Sequence, residues 1–224
     1  MGREISALHP DLQVLVERLK SACLKKGLKI GISECVRTLA EQDALYAQGR
    51  TKGGPIVTNA KGSTYSSMHQ WGIAFDFYRN DGKGSYNDSD GFFTKVGKIG
   101  ESIGLEWGGS WTSFIDKPHF QLPDWGSTTI RLKELFKYPE NFMLNWVDSS
   151  TIITKNARPT RIMDLQKALN KITVNQPKLT IDGDYGTETQ RYLLAVWNEW
   201  GWNKDGKSDG QYAGLRTLNK LGLL

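Results

Sequence analysis

Cysteine and histidine are both scarce in this chain. Cys23 and Cys35 are the only cysteines among 224 residues, and His9, His69 and His119 are the only histidines. No close pair of cysteines exists, which excludes a Cys/His structural zinc cluster. No charged-then-apolar leader is read in the opening Met-Gly-Arg-Glu-Ile-Ser, so two free thiols are expected rather than a disulfide. Cys23 falls on an apolar helix face and Cys35 beside a strand end, where both serve as small buried hydrophobes. Long apolar runs are missing too, with none approaching the roughly 20 residues that span a bilayer, so membrane insertion is not expected. The Met-Gly start is not a persuasive myristoylation site. The chain is therefore expected to be made and left in the cytoplasm unless something releases it.

Charge of one sign is also modest. Twenty-nine Lys and Arg against 24 Asp and Glu leave a net charge of +5. The basic residues are dispersed among acids rather than striped, which argues against a nucleic-acid partner and suits general attraction to an anionic surface. The length allows one or two domains with a real core.

The pattern along the chain reads as α+β and then α. Pro10 opens a helix with Leu12, Leu15, Val16, Leu19 and Cys23 at helical spacing, closed by Gly27. His9, just before it, reads as a local structural residue. Leu28 to Ser33 alternates as a strand, and Thr38-x2-Glu41 is a capping box before a helix that ends at Gly49. Residues 50–66 and 80–90 read as loops, the first long enough to help line a cleft. A helix is expected over about 91–103, then short strands at Leu105–Trp107 and His119–Leu122. These elements suit an antiparallel sheet with flanking helices. Residues 149–159 read as a linker. Beyond it, Ile162, Leu165 and Leu169 mark one helix, Thr187-x2-Gln190 caps a second, and Tyr212, Leu215 and Leu218 mark a third. The segments Asp182-Gly183-Asp184-Tyr185-Gly186 and Asp209-Gly210-Gln211-Tyr212 form a weak internal repeat of tight turns.

Two segments carry candidate chemistry: Ser67-Met68-His69-Gln70-Trp71-Gly72-Ile73-Ala74-Phe75-Asp76, and Asp116-Lys117-Pro118-His119. They offer two imidazoles and a carboxylate as ligands, with a second carboxylate nearby to act as a base. A straight strand would separate His69 from Asp76 by about 23 Å, so a shared ion requires a bend, which Gly72 permits. After it, Ile73, Phe75 and Phe77 alternate with Ala74 and Asp76 as a half-buried strand. A second strand from His119 could bring His119 beside Asp76, with Asp116 hanging over the open position. Spacing alone leaves a pair of satisfied structural histidines as open as a metal site.

The pattern Ser-x-His-x6-Asp with a later Asp-x2-His resembles the signature of the LAS metallopeptidases. That family joins zinc D-alanyl-D-alanine carboxypeptidases and L-alanyl-D-glutamate endopeptidases. Glu34-Cys35-Val36-Arg37-Thr38, Gln42, Leu45-Tyr46, Gln48-Gly49-Arg50-Thr51 and Ile56-Val57-Thr58-Asn59-Ala60 resemble the upstream segment of the endopeptidase branch, to which phage endolysins belong. The resemblance spans about residues 28–122. It implies Zn2+ held by His69, Asp76 and His119, and Asp116 as general acid/base. It also implies Arg37 facing the scissile carbonyl and Ser67, Gln48 and Arg50 as substrate-binding residues. Leu165-Gln166-x-Ala168-Leu169 and Asp182-Gly183-x-Tyr185-Gly186-x-x-Thr189 resemble the peptidoglycan-binding domain found beside wall hydrolases.

The expectation is a catalytic domain over 1–148, a linker over 149–159 and a small helical peptidoglycan-binding-like domain over 160–224. The resemblance implies an endolysin that cuts the L-alanyl-D-glutamate bond of peptidoglycan stem peptides, acting at the wall after release. A D-alanyl-D-alanine carboxypeptidase is the alternative within the enzyme class, and a non-catalytic wall-binding protein is the alternative outside it.

Overall fold

His9 and Pro10 start the first helix as their chemistry dictates: the His9 Nδ1 accepts from the Asp11 backbone N–H, and Pro10 needs no donor at that position. In the computed structural model, which describes residues 2–146, 152–173, 176–203, 206 and 208–224, this helix is α1 (Pro10–Lys25). Its buried Leu12, Leu15, Val16, Leu19 and Cys23 are the apolar stripe of the sequence. There follow β1 (Ile30–Glu34), α2 (Leu39–Ala47), β2 (Ala74–Arg79), α3 (Phe92–Ser102), β3 (Glu106–Trp107), β4 (His119–Gln121), α4 (Ile130–Phe136) and α5 (Pro139–Met143). Thr38 caps α2 in the expected box, its side chain accepting from Glu41 N–H while Glu41 reaches back to Thr38 N–H.

The four strands form one antiparallel sheet in the order β1-β2-β4-β3. Phe75 and Phe77 of β2 and Phe120 of β4 turn to the core, so the intervening Asp76 turns to the opposite face. Asp76 pairs directly with His119 across β2 and β4. The β1–β2 register slips between Ile32 and Glu34, and this bulge places Glu34 opposite Asp76. Glu34, Asp76 and His119 therefore stand in one row across three strands.

Helix α3 lies against β3 with no side chain between them at Gly97, where an added Cβ would come 2.2 Å from the Trp107 ring. Gly97→Ala would gain about 1 kcal/mol of helix propensity. The overpacking against an indole fixed by its bond to the Lys117 carbonyl costs about 1–3 kcal/mol. A lower melting temperature is expected in thermal denaturation. An unchanged or raised one would mean that the contact yields easily.

The chain divides into two compact units, Met1–Leu144 and Asn145–Leu224. The second contains β5 (Ile152–Thr154), α6 (Pro159–Ile172), α7 (Thr187–Glu199), β6 (Tyr212–Gly214) and α8 (Leu215–Lys220). Its core joins Ile153, Leu165, Leu169, Tyr192, Leu193, Val196 and Leu218. The expected α+β class with a helical second part holds, with the addition of a short antiparallel β5–β6 pair in that part. Ile152–Thr154 lies inside the span read as a linker and is a strand there because Ile153 is fully buried. The linker residues 149–151 lie outside the described residues.

Helix α7 departs from the expected cap: Gly186 occupies the cap position without a side-chain bond, and Thr187 is already helical. The buried Gln166 fastens the loop before it instead. Its amide donates to Asp182 Oδ1, the Asp184 carbonyl and Thr189, and its oxygen accepts from the Asp182 and Gly183 N–H groups. The Tyr185 hydroxyl donates to the Gly210 carbonyl, joining the two repeat-like turns. Among the described residues, no helix is long and apolar enough to cross a membrane.

Candidate active site

Gly72 takes φ +67°, a left-handed conformation at the end of the short 3-10 turn Met68–Trp71. The bend turns the chain back between His69 and Asp76, as their spacing required. Three donor atoms then meet. His69 Nε2 lies 3.2 Å from His119 Nδ1 and 3.3 Å from Asp76 Oδ1, and His119 Nδ1 lies 3.1 Å from Asp76 Oδ1. Ligands about 2.0–2.1 Å from a tetrahedral ion stand about 3.3–3.4 Å apart. The observed triangle fits that edge length.

The remaining ring nitrogens decide what these atoms can hold. His69 Nδ1 is 2.7 Å from the Cys35 carbonyl, which can only accept, so His69 carries its proton there and leaves Nε2 bare. His119 Nε2 is 3.1 Å from Gln121 Oε1, which assigns its proton to that side and leaves Nδ1 bare. Two lone pairs and a carboxylate oxygen thus converge with no donor between them, a donor set suited to a cation. Burial works against charge on His119, but Asp76 outweighs it and raises the imidazole. Burial likewise opposes the Asp76 carboxylate, and His69 and His119 together hold it well below the usual range.

The triplet opens into a cleft of about 1190 Å³ that is also lined by Ser67, Asp116, Arg37, Trp111, Thr58 and Asn59. Asp116 follows the turn at Trp111, and its backbone N–H donates to the Gly108 carbonyl. Burial, and then the charge of Asp76, raises its carboxyl above the ordinary value. That is the direction a proton-accepting and proton-returning group requires. Cys35 is buried beside the cleft, and burial first and Asp76 second push its thiol up to about 11. It is a free, unreactive thiol, as is Cys23.

Arg37 lines the cleft and is already engaged. Its Nε and Nη2 donate to the two oxygens of Glu34 at 2.8 and 2.6 Å, and its Nη1 donates to Gln42 at 2.7 Å. Nη2 also lies 3.9 Å from Asp76 Oδ2. Three of its N–H groups are used and two remain. Gln48 and Arg50 are not brought to the cleft wall. Arg50 stacks on the Tyr46 ring and donates to the carbonyls of Tyr46 and Thr58 and to Asn59. The Gln48 side chain packs under Gly54. Both brace the loop that supplies Thr58 and Asn59 to the cleft, so the structure offers them an indirect role in place of substrate contact. Glu34 was not singled out as a site residue in the sequence. A carboxylate three residues before Arg37 was the available signal, and only the bulge gave it meaning.

The family described as D-alanyl-D-alanine carboxypeptidase matches residues 60–122. The peptidoglycan L-alanyl-D-glutamate endopeptidase CwlK of Bacillus subtilis (strain 168) is 39% identical over 127 residues, covering 52% of this chain and 74% of that protein. An L-alanyl-D-glutamate peptidase of Listeria phage A118 is 29% identical over 123 residues, 52% of this chain and 38% of its own length. The crystal structure of the Serratia marcescens L-Ala D-Glu endopeptidase ChiX shares 26% identity over 53% of this chain and 82% of that one, with a TM-score of 0.39.

Proposed function

The chain belongs to the LAS-type peptidases, and on that premise we propose that it is a zinc-dependent endolysin cutting the L-alanyl-D-glutamate bond of peptidoglycan stem peptides. The single observation that carries the metal part is the triangle of bare donors on His69, Asp76 and His119. These three residues would hold the ion. Zinc so bound would lower the pKa of water and polarise the scissile carbonyl. Asp116 takes the proton from the attacking water and returns it to the leaving amine. Arg37, fixed by Glu34 and Gln42, places a buried positive charge beside Asp76 and keeps two N–H groups for the developing oxyanion. Ser67, on the cleft wall next to Met68, would hydrogen-bond the substrate backbone.

The second unit completes the reading as a module that holds peptidoglycan near the catalytic unit. Support comes from its Leu-Gln-x-Ala-Leu and Asp-Gly-x-Tyr-Gly motifs, whose Gln166 and Asp182 bind one another. Trp200 and Trp202 are poorly placed to stack on sugars. Lys220 lies over the Trp200 ring and Arg216 over Trp202, each covering an aromatic face. Likeness to an L-alanyl-D-glutamate peptidase of a phage is the support for placing this activity at the wall after release.

Digestion of purified cross-linked peptidoglycan tests this directly, with products identified by mass spectrometry. New amino-terminal D-glutamate is expected, absent after chelation and in His69→Ala. Free D-alanine instead would place the chain in the carboxypeptidase branch. No new ends on several wall types would leave only a wall-binding protein.

A further inference from the structure

Five acidic or basic side chains other than histidine line the catalytic cleft: Arg3, Glu34, Arg37, Asp76 and Asp116. Arg37 is held by its two-pronged pair with Glu34 and its bond to Gln42, and Asp76 belongs to the donor triangle. Among the described cleft-lining residues, Arg3 is the one Lys or Arg without a hydrogen bond or ion pair. The peptide that carries it is pinned at both ends. Cys35 N–H donates to the Gly2 carbonyl at 2.9 Å, and His9 N–H donates to the Gly72 carbonyl at 2.8 Å. Leu8, between them, is fully buried. Both anchors belong to the site itself: the Cys35 carbonyl holds His69, and Gly72 makes the bend that brings His69 to Asp76. Arg3 is thus carried on a backbone tied to the frame of the donor triangle, which lowers the backbone part of the entropy lost on binding.

We propose that Arg3 reads a substrate carboxylate, the free α-carboxylate of the D-glutamyl residue on the leaving side of the scissile bond. This inference rests on the endopeptidase reading above. In stem peptides the chain continues through the side-chain carboxyl of D-glutamate, so its α-carboxylate is attached to the carbon that bears the scissile nitrogen. That anion must enter a cleft also lined by the Asp116 carboxyl, a group of the same sign when ionised. A guanidinium answers it with a planar, two-pronged donor. Walls in which this carboxylate is amidated offer no anion there. Arg3 consequently sets a preference for free over amidated stem peptides.

The test compares synthetic muramyl tripeptides containing D-glutamate or D-isoglutamine. A third peptide carries C-terminally amidated lysine in place of the diamino diacid, which removes both carboxylates of that residue. kcat/KM is measured for the full-length wild type, Arg3→Ala, Arg3→Lys and Lys133→Ala. Lys133 donates to the cleft-lining Ser66 and controls for loss of one nearby positive charge. Arg3→Ala is expected to lose about tenfold on the D-glutamate peptide and little on the amidated one. Arg3→Lys should keep part of the preference, and Lys133→Ala all of it. An equal loss on both peptides, no loss on either, or a loss that follows the diamino acid overturns the assignment. An active wild type with the wrong selectivity removes the role of Arg3 alone. A wild type that cuts none of the peptides removes the endopeptidase reading and this inference with it.

Discussion

His69→Ala is expected to lower kcat/KM on peptidoglycan at least about a thousandfold, because several kcal/mol of transition-state stabilisation leave with the metal. The substitution removes one of the three converging donors and also the N–H that satisfies the buried Cys35 carbonyl. The second loss costs about 1–3 kcal/mol of stability, so the variant should fold with a reduced melting temperature. Metal content by elemental analysis should fall from about one equivalent toward zero. Chelation gives an independent readout. It should lower the melting temperature of the wild type, since an ion at a thousand times its Kd contributes about 4 kcal/mol. His69→Ala should melt at the same temperature with or without chelator. A folded variant with wild-type turnover would remove the metal centre from the mechanism.

Asp116→Asn is expected to lower kcat by about 10²–10⁴-fold while the metal stays bound. The amide preserves the shape of the side chain and cannot accept the proton from water. Asp116 is not one of the three converging donors, so metal content should match the wild type. That separation of turnover from occupancy distinguishes a proton-transfer group from a ligand. The pH profile supplies the sign. Burial and Asp76 raise the Asp116 carboxyl, so its proton-accepting form is lost as pH falls through that raised value. Wild-type kcat should therefore fall on the acid side as Asp116 is protonated, with a bound cation drawing that limb to lower pH than in the metal-free site. Residual activity of Asp116→Asn should lack this limb. Near-normal turnover, or parallel loss of metal, would contradict the role.

Much of the site was legible because its determinants are local. A period of two assigned Asp76 to the face opposite Phe75 and Phe77, and a glycine between His69 and Asp76 marked where the chain had to bend. The cap of α2 was equally readable, since Thr38 and Glu41 satisfy each other within one turn. The same reasoning misplaced the start of α7. Thr187-x2-Gln190 has the spacing of a cap, but long-range bonds from Gln166 hold the preceding loop and leave Gly186 at that position. The place of Gln48 and Arg50 off the cleft wall was not legible for a related reason. Motif membership does not say whether a side chain points to substrate or braces the loop that does, and Arg50 spends its donors on Tyr46, Thr58 and Asn59.

By itself, the sequence determined the types of the three converging donors, their strands, the bend between them and the helical character of the second unit. These follow from turn chemistry and side-chain periodicity, which act over a few neighbouring residues. Only the tertiary structure decided the β1 bulge that sets Glu34 against Asp76, the capture of Arg37 by that carboxylate, and the place of Arg3 on the cleft wall. Cross-strand register and the choice of ionic partner depend on groups far apart in the chain. They are settled when packing fixes which of several chemically equivalent partners lies within hydrogen-bond reach.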